Sequence, residues 1–282
     1  MSVSNSLKDT DSWTLEEMYE AVRNSPAEVL QADDDGVTII MAYGLHDEEN
    51  KAFIDWEKGE SHLTEEPFLK LMEFAKEYAD QGKYPRAEVG ERLADGRIAS
   101  EQIVLSSPGM LNRARGCFNG EEACIGYPRE SGSGIYMETA RLYLNRNAGN
   151  REGAVDFLRY LISEEGQRQY IEYSADSGWL CLPVRRSLLQ ESLDRYQWDV
   201  KDPPDQSYDD KGIFSRWEKL DEGQVETYWR ILDSAIPAVF RADDIWTMVD
   251  EELQPYFNGE RSAQEAAAVL HNRVQLYLDE GN

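Results

Sequence analysis

The sequence predicts an α/β fold in which helices dominate. Three observations lead there. Several segments carry apolar residues at helical spacing behind good N-caps. Short β-branched runs bounded by glycine lie between them. No internal repeat or low-complexity tract breaks this alternation.

The first helix lies in SWTLEEMYEAV. Thr14 and Glu17 form a capping box, and Trp13 and Met18 occupy the two positions of a hydrophobic staple. A staple fixes how an incoming segment enters a helix, yet little comes in ahead of Trp13. Val37 to Ala42, flanked by Gly36 and Gly44, reads as a buried strand. AFIDWEKGESHL comes next, with a turn at Lys58–Gly59. Thr64 is expected to cap a helix running to Tyr78, with Phe68, Leu71, Met72, Ala75 and Tyr78 as its apolar stripe. Gly82 and Pro85 end it.

From Glu88 to Tyr143 the texture suggests strands. RIASEQIVLSS and ACIGYP are the expected strands, and ESGSGIYMETARLYLN a glycine loop entering a third. Asn150 then caps a helix with Ala154, Phe157, Leu158 and Leu161 on one face, and Ser163 caps the next. GWLCLPVRRSLL reads as extended, since Pro183 prevents a central strand. WDVKDPPDQSYDDKGIF reads as an exposed loop or linker. Helices finish the chain: ETYWRILDSAIPAVF, interrupted by Pro237, then DDIWTMVDEELQPYF, then the segment capped by Ser262 and Glu265. In that last helix Ala263, Ala266, Ala267 and Ala268 allow close approach of another element, and Arg273 is expected to complement the helix dipole.

Composition narrows the function. Hydrophobic residues make up 41% of the 282 residues, enough for a sizeable core. The net charge of −26 argues against nucleic acid and against anionic membrane surfaces as partners. No run of apolar residues is long enough for a transmembrane helix. The start of the chain, with a single Lys8 and no apolar stretch, does not read as a secretory signal, so the chain as written is expected to stay in the cytoplasm. Cys117, Cys124 and Cys181 form no CxxC pair, and His46, His62 and His271 lie in unrelated settings, so no metal site is expected. Cys117 and Cys124 flank FNGEEA; either a hairpin disulfide or two free thiols fits that spacing.

Catalytic signatures are absent. No GxSxG elbow, HExxH pair, GxGxxG or P-loop occurs. Carboxylate pairs are uninformative, because any of 55 acids could provide one. No catalytic residue and no cofactor is therefore assigned. The 7 Trp and 15 Tyr are a generous aromatic supply. Flat rings can cover the apolar faces of a sugar while polar side chains bond its hydroxyls.

Several stretches, taken in order, resemble the extracellular solute-binding proteins of bacterial ABC importers, in the carbohydrate-type family of maltose-binding protein. They are SWTLEEMYEAV, AFIDWEKGESHLTEEPFLKLMEFAKEY, the IGYP at Ile125–Pro128, NREGAVDFLRYLISEEGQRQYI, LPVRRSLL, and IWTMVDEELQPYFNGERSAQEAAAVLHNRVQLYLDE. Together they span nearly the whole chain. The resemblance implies a periplasmic-binding-protein-like (type II) fold, here a second lobe plus a partial first lobe. Residues 1–122 would be a segment of the C-terminal lobe. Residues 123–187 would be a crossover strand with returning elements of an incomplete N-terminal lobe. Residues 188–282 would be a linker and C-terminal helices on the C-terminal lobe. In that family an export signal and further βαβ units precede the first helix, so the chain reads as N-terminally truncated. An exposed apolar face is then expected around residues 150–174.

The resemblance further implies a non-enzymatic role: binding a carbohydrate, or another small solute, between two lobes and delivering it to permease subunits. The family works outside the membrane, often as a lipoprotein, and a monomer is implied, with association through the exposed first-lobe face. Half a cleft loses half its contacts, so this chain alone is expected to bind sugar weakly or not at all. Trp246 matches a sugar-stacking aromatic of the family, with Ile245 and Met248 facing the core. Tyr127 and Arg129 come just after the hinge strand, and Trp179 lies in the returning segment. Tyr43, at the end of an expected strand, is the fifth candidate, because ligands gather at strand ends in open α/β sheets. Two other readings stay open: an acidic glycoside-acting enzyme, and a protein-interaction module with no small ligand.

Overall fold

The structure is a computed structural model that describes residues 12–45, 51–120, 122–130, 132–137, 142–177, 182–195, 207–215, 218–237 and 242–281. It is α/β and helix-rich, with only short paired strands. Helix α1 (Leu15–Arg23) opens with the expected capping box between Thr14 and Glu17. Strand β1 (Val29–Gln31) leads to α2 (Gly36–Ile40) and a π-helical turn, Met41–Leu45.

The expected strand at Val37–Ala42 is therefore helical. The Asp35 side chain accepts a bond from the Thr38 N–H, 2.8 Å away, which starts a helix at Gly36. A local cap and burial on all sides override the β preference of Val37, Ile39 and Ile40. Strands β2 (Ile54–Asp55) and β3 (Glu60–Ser61) form a hairpin around the Lys58–Gly59 turn. Gly59 has a positive φ of 69°, and Asp55 Oδ1 accepts the N–H bonds of Glu57 and Lys58. Helix α3 (Glu66–Tyr78) begins two residues past Thr64; Glu65 is its N-cap and makes no side-chain capping bond.

The stretch from Glu88 to Tyr143 is less sheet-like than its texture suggests. It holds α4 (Val89–Ala94), β4 (Ile98–Ser100), α5 (Met110–Cys117) and β5 (Tyr136–Met137). Residues of the expected ACIGYP strand from Ala123 onward form no strand, and 138–141 lie outside the described residues. Helices α6 (Arg151–Leu161) and α7 (Glu164–Ser177) come next, with Asn150 and Ser163 accepting N–H bonds at their starts. The supposedly extended LPVRRSLL turns into α8 (Arg186–Arg195) three residues after Pro183. The acidic, Pro-rich linker falls partly outside the described residues. Its end is the hairpin β6 (Ser207–Tyr208) with β7 (Phe214–Ser215). The chain closes with α9 (Glu222–Ser234), β8 (Ile236–Pro237), α10 (Ala242–Phe257) and α11 (Ala263–Glu280).

β1 pairs in parallel with β4, and β5 in parallel with β8. Among the described residues three apolar clusters hold the elements together. The largest joins α1, α2, the π turn and α3 to α10 and α11. Ala263, Ala266 and Ala267 are buried there, so the last two helices pack closely. Arg273 bonds Glu252 of α10 at 3.0 Å rather than serving the end of its own helix. A second cluster gathers β1, β4, α4, α5 and Ile213 of the β6–β7 hairpin. A third joins Leu111 of α5, Leu193 of α8, Leu220, and Tyr228 of α9. By contrast α6 has no buried residue.

Candidate functional site

The site is built at the C-terminal ends of β1 and β4. Parallel strands aim their ends at the same edge, and the loops that leave them converge there. After β1 the chain passes through Asp33, Asp34 and Asp35 into α2 and the π turn, which carries Tyr43. β4 ends at Ser100, whose hydroxyl bonds the Leu30 carbonyl at 2.9 Å and ties the two strand ends together.

Tyr127 comes to this edge from the loop beyond α5. Its ring lies 5.4 Å from that of Tyr43, edge to face. Tyr136, in β5, adds a third ring 5.9 Å from Tyr127. Two tethers hold the Tyr127 loop. The Trp13 indole N–H donates to the Gly126 carbonyl at 2.9 Å, and the Arg129 N–H to the Trp13 carbonyl at 2.7 Å. Within the loop, the Tyr127 N–H donates to the Gly134 carbonyl at 2.8 Å. Gly126 and Gly134 approach so closely that a Cβ on either would overlap the facing segment's backbone. These glycines are required by that approach.

The electrostatics match a largely dry edge. Burial pushes the Asp34 carboxyl up to about 6, although a bond from Gln31 pulls the other way. Burial, with the charge of Asp34 as the next cause, pushes Tyr127 up to about 12. Tyr43 lies well above the usual phenol range, chiefly through burial; a Ser100 hydrogen bond opposes the shift, and Tyr127 and Asp34 add to it. Asp34 thus acts on both phenols. Such an edge offers flat rings, hydroxyls and a carboxyl that is easily protonated, and so suits an uncharged ligand rich in hydrogen-bonding groups.

The five candidates from sequence fare differently. Tyr43 and Tyr127 are brought together. Tyr43 reaches the site from the π turn that follows α2 and not from a strand of its own. Arg129 stands two residues on, with Nη1 donating to the Ser133 carbonyl at 3.0 Å, so it braces the loop. Trp246 is on α10 with its side chain 42% exposed, while Ile245 beside it is fully buried and Met248 packs on the main core. Helix α10 packs on α2 and the π turn, but no ring contact joins Trp246 to the tyrosines. Trp179 lies outside the described residues. Asp34, Ser100 and Tyr136 were missed; the signal was the acid run DDD directly after a short apolar stretch, EVLQA, where a strand end was to be sought.

Elsewhere among the described residues chemistry is sparse. A depression between α7 and α8, lined by Arg168, Ile171, Glu172, Leu188, Glu191 and Ser192, has room for little more than water. Its cation, Arg168, is already bridged to Glu164 at 3.1 Å and Glu191 at 2.6 Å. Cys117 and Cys124 are free thiols. Among the described residues no group of three His, Cys, Asp or Glu side chains could hold a metal ion, and no helix is long and apolar enough to cross a membrane.

No protein-family model matches the chain, and no curated protein matches it.

Proposed function

We propose that this chain is the solute-binding component of an ABC importer of the carbohydrate type, with a periplasmic-binding-protein-like (type II) fold. The observation that carries the reading is the tyrosine cluster, Tyr43, Tyr127 and Tyr136, at the C-terminal edge of the parallel pair β1–β4. A neutral sugar uses such an edge fully. Its C–H face lies on a ring, its hydroxyls bond the phenols, and no charge is required of it. The ordered run of family-like segments from Trp13 to the last helix supports the same reading.

In this reading Tyr127 and Tyr43 contact the sugar, Arg129 positions the Tyr127 loop, and Trp246 offers a further stacking face. A second lobe closes over the ligand, and the closed pair is presented to permease subunits outside the membrane. Contacts from one face alone bind no more tightly than a dissociation constant of about 1 mM, or about −4 kcal/mol, if they bind at all. The test is saturation-transfer NMR against neutral oligosaccharides at about 10 mM, well above that constant. A signal from one sugar series, lost in Tyr127→Ala, supports the reading. A carbohydrate signal that Tyr127→Ala leaves intact rejects it. Turnover of a chromogenic glycoside in the same samples would replace it with a hydrolase, with Asp34 as the first acid to examine.

A further inference from the structure

Helix α6 carries an apolar surface that the rest of the fold leaves open. The helix has no buried residue and belongs to none of the three apolar clusters among the described residues. Phe157 is 58% exposed, beside half-buried Ala154, Leu158 and Leu161. The surface continues past the end of the helix, where Ile162, Tyr173 and Val184 are each more than half exposed. Hydrogen bonds bring Ile162 and Val184 together. The Gln167 amide donates to the Leu161 carbonyl at 2.8 Å and accepts the Val184 N–H at 2.9 Å, and Arg185 Nε donates to the Ile162 carbonyl at 2.7 Å.

Charge selects the occupant. The chain carries −26, so two copies repel at most of their faces. Residues 142–186, which hold this surface, contain six arginines against six acids and are locally neutral. The order of the charges matters more than their balance. REGAVDFLRYLISE, residues 151–164, is complementary to itself when reversed. Laid antiparallel on a second α6 about the midpoint of Phe157 and Leu158, the helix sets Asp156 against Arg159, and Arg151 against Glu164 just past its end. The same register sets Phe157 against Leu158 and small Ala154 against Leu161, so the apolar side chains can interdigitate. No like charges stand in direct opposition. The Arg159–Asp156 bridge within the helix, at 3.1 Å, leaves both side chains at least 70% exposed and open to a second partner.

We propose that two copies of this chain pair through α6, antiparallel about a two-fold axis at Phe157–Leu158. Such an interface is isologous, so every complementary pair occurs twice. With ~200 Å² for a large side chain, the exposed parts of Phe157, Ile162, Tyr173 and Val184 supply roughly 500 Å² per copy. A standard interface buries about 800 Å² per partner, so the dimer is weak and depends on concentration. The pairing is independent of the sugar-binding reading, since none of the tyrosines at the β1–β4 edge takes part in it.

The experiment is sedimentation velocity of the full chain from about 1 μM to about 1 mM, where a monomer–dimer equilibrium is expected. Asp156→Arg opposes cations twice across the axis, and Arg159→Asp opposes acids twice. Each should weaken the dimer about tenfold or more. Both positions are exposed, so the far-UV spectrum should stay unchanged. An equimolar mixture of the two variants should recover the dimer, because each cation then meets an acid of the other chain. An ion pair within one helix cannot produce that recovery. The proposal fails if the unsubstituted chain stays monomeric up to about 1 mM. It fails equally if either variant associates as well as the unsubstituted chain, or if the mixture associates no better than its components.

Discussion

Two parts of this molecule use similar sequence material to opposite ends. Residues 13–80 and the last two helices share one core, with Phe68, Phe74, Leu270 and Val274 fully buried. Helices α6 to α8 also have helical apolar spacing, yet α6 buries nothing and Phe157, Ile162, Tyr173 and Val184 stand more than half exposed. The difference is partnership rather than pattern. The stripe of α3 meets α11 and α2, whereas α6 contacts chiefly α7. An apolar face in a sequence predicts burial only where another element is there to receive it.

The largest effect expected from this contrast is in the core. Phe68 packs edge to face on Phe53 at 5.5 Å and is fully buried. Phe68→Ala should cost about 3–5 kcal/mol, the sum of lost transfer and a residual cavity. Urea denaturation monitored by tryptophan fluorescence measures it. A loss below about 1 kcal/mol would mean that the core is not the cooperative unit described, since surface positions give losses of that size.

Next comes the loop that carries Tyr127. A Cβ on Gly134 would overlap the Tyr127 carbonyl, so Gly134→Ala must push the two backbones apart and break the Tyr127–Gly134 bond. The expected cost is about 1–3 kcal/mol, as for an overpacked site. Because Tyr127 moves with the loop, any carbohydrate signal should fall as well. Unchanged stability and binding together would show that the loop is not held at this point.

Asp34 tests the dry edge with a milder change. Its folded carboxyl titrates near 6, above its ordinary 3.8. A raised value means that the folded state holds the proton more tightly. The stabilising contribution is complete below about pH 4, where both states are protonated, and is lost as pH rises through 6. At neutral pH the buried charge is therefore a liability. Discounted for its partial exposure, it amounts to about 1 kcal/mol. Asp34→Asn should be more stable by about that amount at pH 7 and should match the unsubstituted protein below about pH 4. Thermal melts across that range decide it; a benefit that persists at low pH would point to some other cause.

The sequence made the long helices legible because their signals are local. Capping boxes at Thr14–Glu17 and Ser262–Glu265 stand as read, and Asn150 caps α6. Misreadings fell where a local preference lost to context. VTII has strand composition, but Asp35 caps it into a helix. RSLLQESLDR was hidden behind Pro183, which ends an extended segment without governing the residues beyond it. Short helices α4 and α5 contain Gly90 and Gly116, and their periodicity is too brief to stand out. The site was legible in part. Tyr43 and Tyr127 could be singled out, but their 5.4 Å contact depends on a parallel pairing of strands nearly 70 residues apart, which no local pattern encodes. Asp34 was lost among the other acids because its burial is a tertiary property.

The smallest effect is the other half of the opening contrast. Phe157 is 58% exposed on a helix with no buried residue, so removing its ring uncovers no cavity and strands no partner. Phe157→Ser should change stability by no more than about 0.5 kcal/mol, part of it the weaker helix preference of serine. The larger change should be at the surface. Less apolar area means less binding of a hydrophobic dye and a later onset of association as concentration rises. Equilibrium denaturation and light scattering on the same samples separate the two quantities. A loss near that of Phe68→Ala would show that α6 is packed against something the described residues do not include, and the two regions would then differ less than their exposure implies.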